Sequence, residues 1–459
     1  MNLPNYFLAD LPPEATLSPA MITEACQTLK RNREHYLARR STESLIKILS
    51  EVAESWVKPD NGFRRLALER GPGETGFSSA TLARGLDGFF GHITRDNLHA
   101  LLAQDLDESI CVTDPGSRMT GKGLSHHSPP ATRHLWCGPE FLVHVAAGNI
   151  PNPTLTSIVL GLLARSAQFV KCASGSAFLP RLFAHSLYDA APKLGACLEI
   201  AMWRGGSTAL ETALWAEADC VTATGGDETL AAIRAQLPVK TRFLGYGHRV
   251  SFGFVARDVL AGSHARRVAG RVADDVVAWN QLGCLSPHVI YVQTGGEMSA
   301  EKFAELLADE LEQREQTEPR GELPAEHAAV IASRRGIYEV RAAHSPETQM
   351  WHSRNSTAWT VVYEADPRFQ MSCLNRFVYV KSVKDLTEML QSAEAVRGNV
   401  STVGLAAPEH QQEELAAELA RWGASRICPP GQMQNPPLTW RHDGRPALGD
   451  LVRWTDVET

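Results

Sequence analysis

The sequence lacks the features that would place it in several common protein classes. Its nine cysteines contain no CxxC pair and no regular framework, which excludes a typical zinc site or disulfide scaffold and favours reduced thiols. No basic segment followed by an apolar core opens the chain, so no secretory signal is expected. We therefore expect a cytoplasmic protein with no bound metal.

The net charge and the hydropathy of the chain argue against nucleic-acid and membrane partners. The net charge of -7 argues against nucleic acid or an anionic membrane as the main partner. The longest apolar stretch, 141–163, is interrupted by Asn149, Pro151, Asn152 and Pro153, so we expect no transmembrane segment. The chain has 459 residues, of which 44% are hydrophobic and 21% charged. This length and composition are typical of a globular protein with two or three domains.

The first hundred residues are dominated by helical periodicity. Apolar positions recur at helical spacing over 19–56 and again to about residue 106, which predicts helices that carry no recognisable chemistry. Residues 111–135 are rich in Gly, Pro, Ser and His, and predict an extended hairpin or a loop.

From residue 141 onward, short β-rich segments alternate with helical ones. Strands are predicted at 141–147, 168–172, 198–203, 219–223 and 239–244, with helices at 154–166, 177–193, 207–216 and 227–236. This alternation predicts an α/β fold with a parallel sheet, whose ligands bind at the carboxyl ends of the strands. No GxGxxG motif follows any of these strands, so an ordinary dinucleotide-binding motif is not supported.

The second half of the chain repeats this mixture. Strands are predicted at 360–363, 377–381 and 400–405, and helices at 300–316, 384–394 and 409–422. Before them, the segment 276–292 places Cys284 after a polar turn and just before a β-branched apolar run. Gly283 is expected to give that turn its backbone freedom. A thiol there can serve as an acyl-accepting nucleophile, although a buried, inert cysteine explains this segment alone at least as well.

Three segments carry motifs in a defined order. They are HVAAGNIPNPTLTSIVLGLLARSAQFVKCASGSAFLP (144–180), ADCVTATGGDETLAAI (218–233) and NQLGCLSPHVIYV (280–292). Together they resemble the aldehyde dehydrogenase superfamily, and specifically its fatty acyl-CoA reductase branch, the LuxC-like reductases. The later SRICPPG is also similar to a strand and turn of that superfamily. The resemblance covers roughly 110–459 and leaves the N-terminal helices unaligned.

The resemblance implies two catalytic residues. Cys284 matches the nucleophile that takes the acyl group from a thioester and becomes an acyl-cysteine. Asn149 matches the side-chain amide that stabilises the tetrahedral oxyanion together with the backbone N–H of Cys284. The alternative for Asn149 is an ordinary turn asparagine.

The resemblance also implies cofactor contacts. Lys171 matches a residue that contacts the adenosine ribose, and Ser174 stands where NAD-preferring relatives often carry an acid. A serine leaves room for a 2′-phosphate, so NADPH is favoured over NADH. Thr224, Gly225 and Gly226 match the helix start near the nicotinamide. A lysine that ends a strand and an ordinary helix cap are the alternatives.

Some positions depart from the superfamily pattern. Hydrolytic relatives carry LELGG, whose glutamate activates water, whereas residues 243–247 read FLGYG and contain no acid, as expected of a reductase. The nicotinamide-ribose glutamate of the EIFGP motif has no clear match in 375–379. His248, Arg249 and His288 are further candidates for acid or phosphate-binding roles.

These observations predict an aldehyde-dehydrogenase-like fold with a Rossmann-type cofactor domain, a catalytic α/β domain and an arm for oligomerisation. We expect N-terminal helices and the NADP-binding domain in 1–250, the catalytic domain in 251–427, and a C-terminal segment, 428–459, that packs on the cofactor domain or on an oligomer partner. The predicted activity is NADPH-dependent reduction of a long-chain acyl thioester, carried by CoA or a protein, to the aldehyde.

Two alternatives remain open at this point. One is reduction of another activated acyl group, such as a short or aromatic thioester or an acyl phosphate. The other is a non-catalytic subunit that holds acyl groups for a partner. A homo-oligomer is expected, and an acyl-transferring partner subunit would be compatible with either reading.

Overall fold

The computed structural model describes residues 3–12, 14–106, 109–114 and 132–458. Most of the hairpin or loop predicted for 111–135 therefore lies outside the described residues. Its flanks form two strands, β1 (Ile110–Cys111) and β2 (Thr132–Cys137), which pair in parallel.

The N-terminal region is helical, as predicted. It comprises α1 (Pro19–Tyr36), α2 (Thr42–Val57), α3 (Gly62–Thr75), α4 (Ser79–His92) and α5 (Arg95–Leu106). Ser18, Ser41 and Ser78 cap three of these helices by accepting a hydrogen bond from a backbone N–H of the first turn. The apolar faces of α2 to α5 join one hydrophobic core with α6 and α7 of the next region and with Leu448 near the C-terminus. Ile22, Cys26 and Leu29 of α1 pack in a separate core with Phe141 and Val143.

The first large sheet has five parallel strands. They are β3 (Phe141–Val145), β4 (Ala167–Cys172), β5 (Leu198–Met202), β6 (Cys220–Thr224) and β7 (Arg242–Tyr246), in the order β5-β4-β3-β6-β7. The connecting helices are α6 (Asn152–Leu163), α7 (Phe178–Ala190), α8 (Pro192–Gly195), α9 (Thr208–Glu217) and α10 (Asp227–Gln236). The parallel sheet is confirmed, although the helix predicted for 177–193 divides near Pro192 because proline lacks the N–H that would continue it.

The second large sheet has seven strands. They are β8 (Val250–Val255), β9 (Pro287–Gln293), β10 (Thr348–His352), β11 (Thr360–Glu364), β12 (Phe377–Val383), β13 (Val400–Ala406) and β14 (Arg426–Cys428), in the order β10-β11-β12-β9-β8-β13-β14. Only β10 runs antiparallel to its neighbour. Its helices are α11 (Gly262–Val277), α12 (Ala300–Thr317), α13 (Ala325–His344), α14 (Leu386–Ser392) and α15 (Glu409–Trp422).

Short 3₁₀ turns and one small sheet complete the described fold. The turns lie at Leu8–Asp10, Arg257–Val259, Ala278–Gln281, Glu394–Val396 and His442–Gly444. The last strand, β15 (Arg453–Glu458), pairs antiparallel with β2. In the part of the chain that the structure describes, no helix is both long enough and apolar enough for a membrane crossing. The domain boundaries expected at 250 and 427 stay predictions.

Candidate active site

Cys284 stands at the end of a strained loop that leads into β9. Trp279, Asn280 and Gln281 have φ angles of 50°, 52° and 63°, three consecutive left-handed conformations that non-glycine residues rarely adopt. Gly283 is not among the residues with positive φ, so the expectation that it supplies backbone freedom is wrong. Its small size instead admits Gln434, whose amide would lie 2.5 Å from an added Cβ.

Burial of Trp279 fixes the start of this loop. The indole lies in the N-terminal core, edge-on to Phe77 with ring centroids 5.2 Å apart. Gly85 of α4 makes room for it, because a side chain there would overlap the indole. The N-terminal helices thus position the loop that carries Cys284, a role that their sequence did not reveal.

The buried side chain of Gln281 fixes the end of the left-handed run. Its amide donates to the carbonyl oxygens of Pro287 and Phe377 at 2.7 and 2.9 Å, and accepts from the N–H of Phe377 at 2.8 Å. Phe377 follows a second left-handed run, 374–376. In that run, Arg376 donates to Asn280 Oδ1 at 3.1 Å. Residues 375–379, where the glutamate of the EIFGP motif has no match, therefore support the Cys284 loop.

The turn after β3 brings Asn149 to the same loop. The Asn149 Nδ2 atom donates to the carbonyl oxygen of Leu282 at 2.7 Å, two residues before the cysteine. The hydroxyl of Ser251 donates to the carbonyl oxygen of Cys284 at 2.8 Å and holds the main chain from the other side. The structure therefore brings together Asn149 and Cys284, which the sequence motifs paired as catalytic candidates.

Cys284 opens into a pocket of about 1090 Å³, a volume that includes space open to solvent. We call it the acyl pocket. Its lining comes from α4, from α6, from the ends of β6 and β7, and from residues 434–447. Apolar groups predominate: Phe89, Ile93, Ile150, Leu160, Leu285, Leu438 and Trp440. Of the described residues that line it, none carries a carboxylate or a permanent positive charge.

The environment of Cys284 keeps its sulfur protonated. Burial raises the pKa of the thiol, the carboxylate of Asp443 adds to this rise and Arg249 opposes it, and the resulting pKa is about 11. A thiol with this pKa is a poor nucleophile at neutral pH until a base removes its proton.

An aromatic column forms one wall of the acyl pocket. Tyr246, at the end of β7, stacks on His442 with centroids 4.5 Å apart and planes inclined by 13°. Trp440 lies on the same histidine at 4.6 Å, and the Arg445 guanidinium covers the Tyr246 ring at 4.4 Å. Burial also raises the pKa of Tyr246. In the stretch where hydrolytic relatives have a glutamate, this chain therefore supplies a tyrosine packed in an aromatic stack.

A groove lies on the other side of Asn149, at the carboxyl ends of β3 and β4. The loop 147–151, the turn at Gly175 and Ser176 and the start of α7 line this strand-end groove, together with residues of α3, and enclose about 500 Å³. Lys171 is the last but one residue of β4, with its ammonium 5.8 Å from the centre of the Trp203 ring, and Ser174 is exposed in the following turn. Burial lowers the pKa of Lys171, and the carboxylate of Glu211 opposes that shift.

The predicted TGG start of α10 lies at the end of β6. Thr224 lines the acyl pocket with Cys284, and the Gly225 N–H donates to the carbonyl oxygen of Tyr246 at 3.2 Å. Gly226 caps α10, but Asp227 and Glu228 occupy its first turn. Because these carboxylates already complement the helix dipole, the turn suits a neutral ribose better than a phosphate.

The structure separates the three remaining candidates. His288 is buried in β9, where its Nδ1 atom accepts from the Ser372 N–H at 3.1 Å, and burial lowers its pKa to about 4. His248 is exposed, and Arg249 forms an ion pair with Asp443 at 3.4 Å. His288 is therefore a packing residue.

Sequence reasoning missed His442, Asp443 and the N-terminal contribution of α4. The segment WRHDG (440–444) contains a histidine and an aspartate, residue types that serve as general acids or bases, but their spacing alone is not a recognised catalytic motif. Nothing in the amphipathic pattern of α4 could have placed Phe89 beside Cys284.

Comparisons with known proteins identify the family of the chain. Residues 37–454 match the family model described as Acyl-CoA reductase (LuxC), so the match extends into N-terminal helices that the motifs left unaligned. A similar curated protein is the long-chain acyl-protein thioester reductase 2 of Photobacterium leiognathi, 25% identical over 321 residues. That alignment covers 69% of this chain and 63% of the relative, so the chain spans less than two thirds of its length.

Solved structures give the fold. An NADP-dependent glyceraldehyde-3-phosphate dehydrogenase from Bacillus halodurans C-125 matches with a TM-score of 0.69 and 13% identity, over 96% of this chain and 92% of that one. An NAD-dependent benzaldehyde dehydrogenase from Corynebacterium glutamicum matches with a TM-score of 0.69 and 14% identity, over 99% and 94%. The predicted aldehyde-dehydrogenase-like α/β fold is confirmed, and the chain belongs to the LuxC family of acyl-CoA reductases.

Proposed function

We propose that this protein reduces a long-chain fatty acyl thioester to the fatty aldehyde, with Cys284 as the acyl acceptor and NADPH as the preferred reductant. The observation that carries the proposal is the position of Cys284 at an uncharged, largely apolar pocket, which suits an alkyl chain and no charged substrate group. The printed name of the Photobacterium leiognathi relative, a long-chain acyl-protein thioester reductase, supports the same substrate class.

The proposed chemistry begins with acyl transfer. Cys284 Sγ attacks the thioester carbonyl, the donor thiol departs, and an acyl-cysteine remains. The Asn149 amide has two N–H donors, of which one is engaged with Leu282 among the described residues. The other, with the backbone N–H of Cys284, would stabilise the oxyanion of the tetrahedral intermediate. Collapse of the later thiohemiacetal releases the aldehyde and returns Cys284 as a thiol.

Residues near the strand-end groove and at the end of β6 would hold a nicotinamide dinucleotide. The Lys171 ammonium and Ser174 hydroxyl suit a 2′-phosphate, whereas Glu211 and, at the acyl pocket, Thr224 suit ribose hydroxyls. A bound cofactor would supply the hydride that reduces the acyl-cysteine. NADPH is preferred in this proposal because no acid stands at position 174.

The acyl pocket also explains why reduction is proposed rather than hydrolysis. Hydrolysis of a thioester needs a base that activates water against the carbonyl carbon. None of the described lining residues is a carboxylate, so the glutamate that activates water in hydrolytic relatives has no counterpart among them, and Tyr246 has a raised pKa. We therefore expect an acyl group on Cys284 to react with hydride or another thiol faster than with water.

The donor of the acyl group is a thioester of CoA or of a protein in this proposal. Both present the same carbonyl and release a thiol, so the contacts around Cys284 do not separate them. The expected homo-oligomer and partner subunit remain predictions.

The test measures NADPH oxidation by wild type and Cys284→Ala with saturated acyl-CoAs from short to long. We expect activity that rises with chain length in wild type and falls to background in the variant. Cys137→Ala, a change at a half-buried cysteine in β2, is the matched control and should keep wild-type activity. Acyl labelling of Cys284→Ala equal to that of wild type would overturn the proposal. Acyl labelling of wild type without NADPH binding would favour the non-catalytic acyl-holding alternative.

A further inference from the structure

His442 faces the same pocket as Cys284. It begins the turn His442–Gly444, and its imidazole lies between the rings of Tyr246 and Trp440. These stacking contacts oppose rotation of the imidazole about its Cβ–Cγ bond, so its two nitrogens stay at the edge of the aromatic column. A histidine held in this way is oriented for proton exchange.

Asp443 supplies a buried carboxylate behind this histidine. Its side chain is only 8% exposed, and the turn holds the residue in a left-handed conformation with φ 53°. Asp443 Oδ1 lies 3.9 Å from His442 Nε2, while Oδ2 faces Arg249 Nε at 3.4 Å. No hydrogen bond reaches the buried Oδ1 atom from the described residues. A buried carboxylate oxygen of this kind is stabilised when the neighbouring imidazole takes up a proton.

The charges around His442 favour a neutral ring in the resting protein. Burial lowers the pKa of His442, Asp443 opposes that shift, and Arg445 and Arg249 reinforce it. The two rings that cover it, Tyr246 and Trp440, carry no charge. A neutral imidazole and a protonated Cys284 in the same pocket are the two protonation states that proton transfer from thiol to histidine requires.

We propose that His442, oriented by Asp443, is the acid–base residue for Cys284 in the acyl transfer described under the proposed function, on which this inference rests. The imidazole accepts the Sγ proton as the sulfur forms its bond to the thioester carbonyl. When the bond from that carbon to the donor sulfur breaks, the imidazolium returns the proton to the departing thiolate. Protons and electrons balance within this step, and no further reactant is consumed.

The experiment measures single-turnover acylation of Cys284 by palmitoyl-CoA in wild type, His442→Gln, His442→Gly and Asp443→Asn. Since general acid–base catalysis contributes about 10²–10⁴-fold, His442→Gln should slow acylation by at least about 10²-fold at neutral pH. Added imidazole should restore the rate of His442→Gly but not that of Cys284→Ala. His327→Gln, at an exposed histidine in α13, is the matched control.

A second readout does not need the acyl donor. Alkylation of Cys284 by iodoacetamide, followed by peptide mass mapping, should slow in His442→Gln at neutral pH and approach the wild-type rate only near the thiol pKa. Asp443→Asn keeps the shape of the turn and should slow both reactions less than His442→Gln.

The outcomes separate the two proposals. Wild-type acylation with an unchanged rate and pH profile in His442→Gln would overturn the role of His442 and leave the proposed function intact. If wild type is not acylated by palmitoyl-CoA but His442→Gln still slows alkylation, the role of His442 stands and the proposed donor is wrong. If His442→Gln does not fold, the role of His442 is tested by imidazole rescue of His442→Gly and by the acylation and alkylation rates of Asp443→Asn. That role would be overturned if imidazole does not rescue His442→Gly and Asp443→Asn reacts at the wild-type rates.

Discussion

The acyl pocket and the strand-end groove share Ile150, next to Asn149, but are built in opposite ways. The groove comes mostly from the loop 147–151, the turn at Gly175 and Ser176 and the start of α7, which follow two consecutive strands of one sheet. The acyl pocket draws on α4, α6, the Cys284 loop and residues 434–447, segments hundreds of residues apart in the chain. The groove is therefore a property of one local topology, and the pocket exists only in the complete fold.

This difference explains the distribution of functional groups. Parallel strands deliver their carboxyl-end loops to one edge, so a lysine at the end of β4 and a serine just after it stay near the groove by topology alone. The pocket instead combines an N-terminal helix with a C-terminal turn. Its shape and its acid–base group can change without disturbing the groove, so substitutions should affect the two regions separately.

Asn149 tests the point at which the two regions meet, and its substitution has the largest expected effect. Asn149→Ala removes the side-chain N–H donors, so acylation of Cys284 should slow by about 10²–10³-fold. Cofactor affinity should stay within about twofold, since the groove keeps its backbone. Rapid-quench acylation and fluorescence titration with NADPH measure the two quantities. An equal loss in both would show that pocket and groove do not function separately.

Lys171 tests the groove alone. Lys171→Ala removes a charge-assisted contact worth about 1.5–3 kcal/mol, so the Kd for NADPH should rise about ten- to a hundredfold. Acylation of Cys284 should be unaffected, as the lysine does not line the acyl pocket. Lys193→Ala, in α8, is the control that removes the same charge elsewhere. A slower acylation step in Lys171→Ala would contradict the separation.

Ala447 tests the pocket alone. Ala447→Phe adds bulk to the pocket wall, so the KM for palmitoyl-CoA should rise about tenfold because part of the volume for the alkyl chain is lost. The KM for butyryl-CoA and the Kd for NADPH should change little. Steady-state kinetics with both substrates measure the contrast, and thermal unfolding checks the fold. An equal rise for both chain lengths would place the long chain elsewhere.

Glu211 gives the smallest and most specific effect. Glu211→Gln removes the carboxylate that acts on Lys171 while keeping the size of the side chain. The preference for NADPH over NADH should increase by about three- to tenfold, since a carboxylate repels a 2′-phosphate and binds a ribose hydroxyl. The ratio of kcat/KM for the two cofactors measures it. A shift toward NADH would place Glu211 away from the ribose.

The sequence predicted best where local pattern and topology coincide. The five parallel strands and the pairing of Asn149 with Cys284 followed from alternating segments and motif order. Helix α11 was missed although Ala265, Val268, Val272 and Val276 recur at helical spacing. Helix α13 was harder to recognise, because only Ile331, Arg335 and Tyr338 of it are buried. The acid–base group at 442 depends on contacts across about 200 residues with Tyr246, which no local pattern encodes.

The buried amide of Gln281 ties the position of the thiol to the alignment of two strands. Its three hydrogen bonds join the residue at the start of β9 to the one at the start of β12. Displacing β12 by one residue along β9 would break the two of these bonds that reach Phe377, and leave polar groups buried without partners. The register of the seven-stranded sheet therefore sets the position of the Cys284 loop. Cys284 reaches the pocket only when β9 and β12 have paired in the correct register.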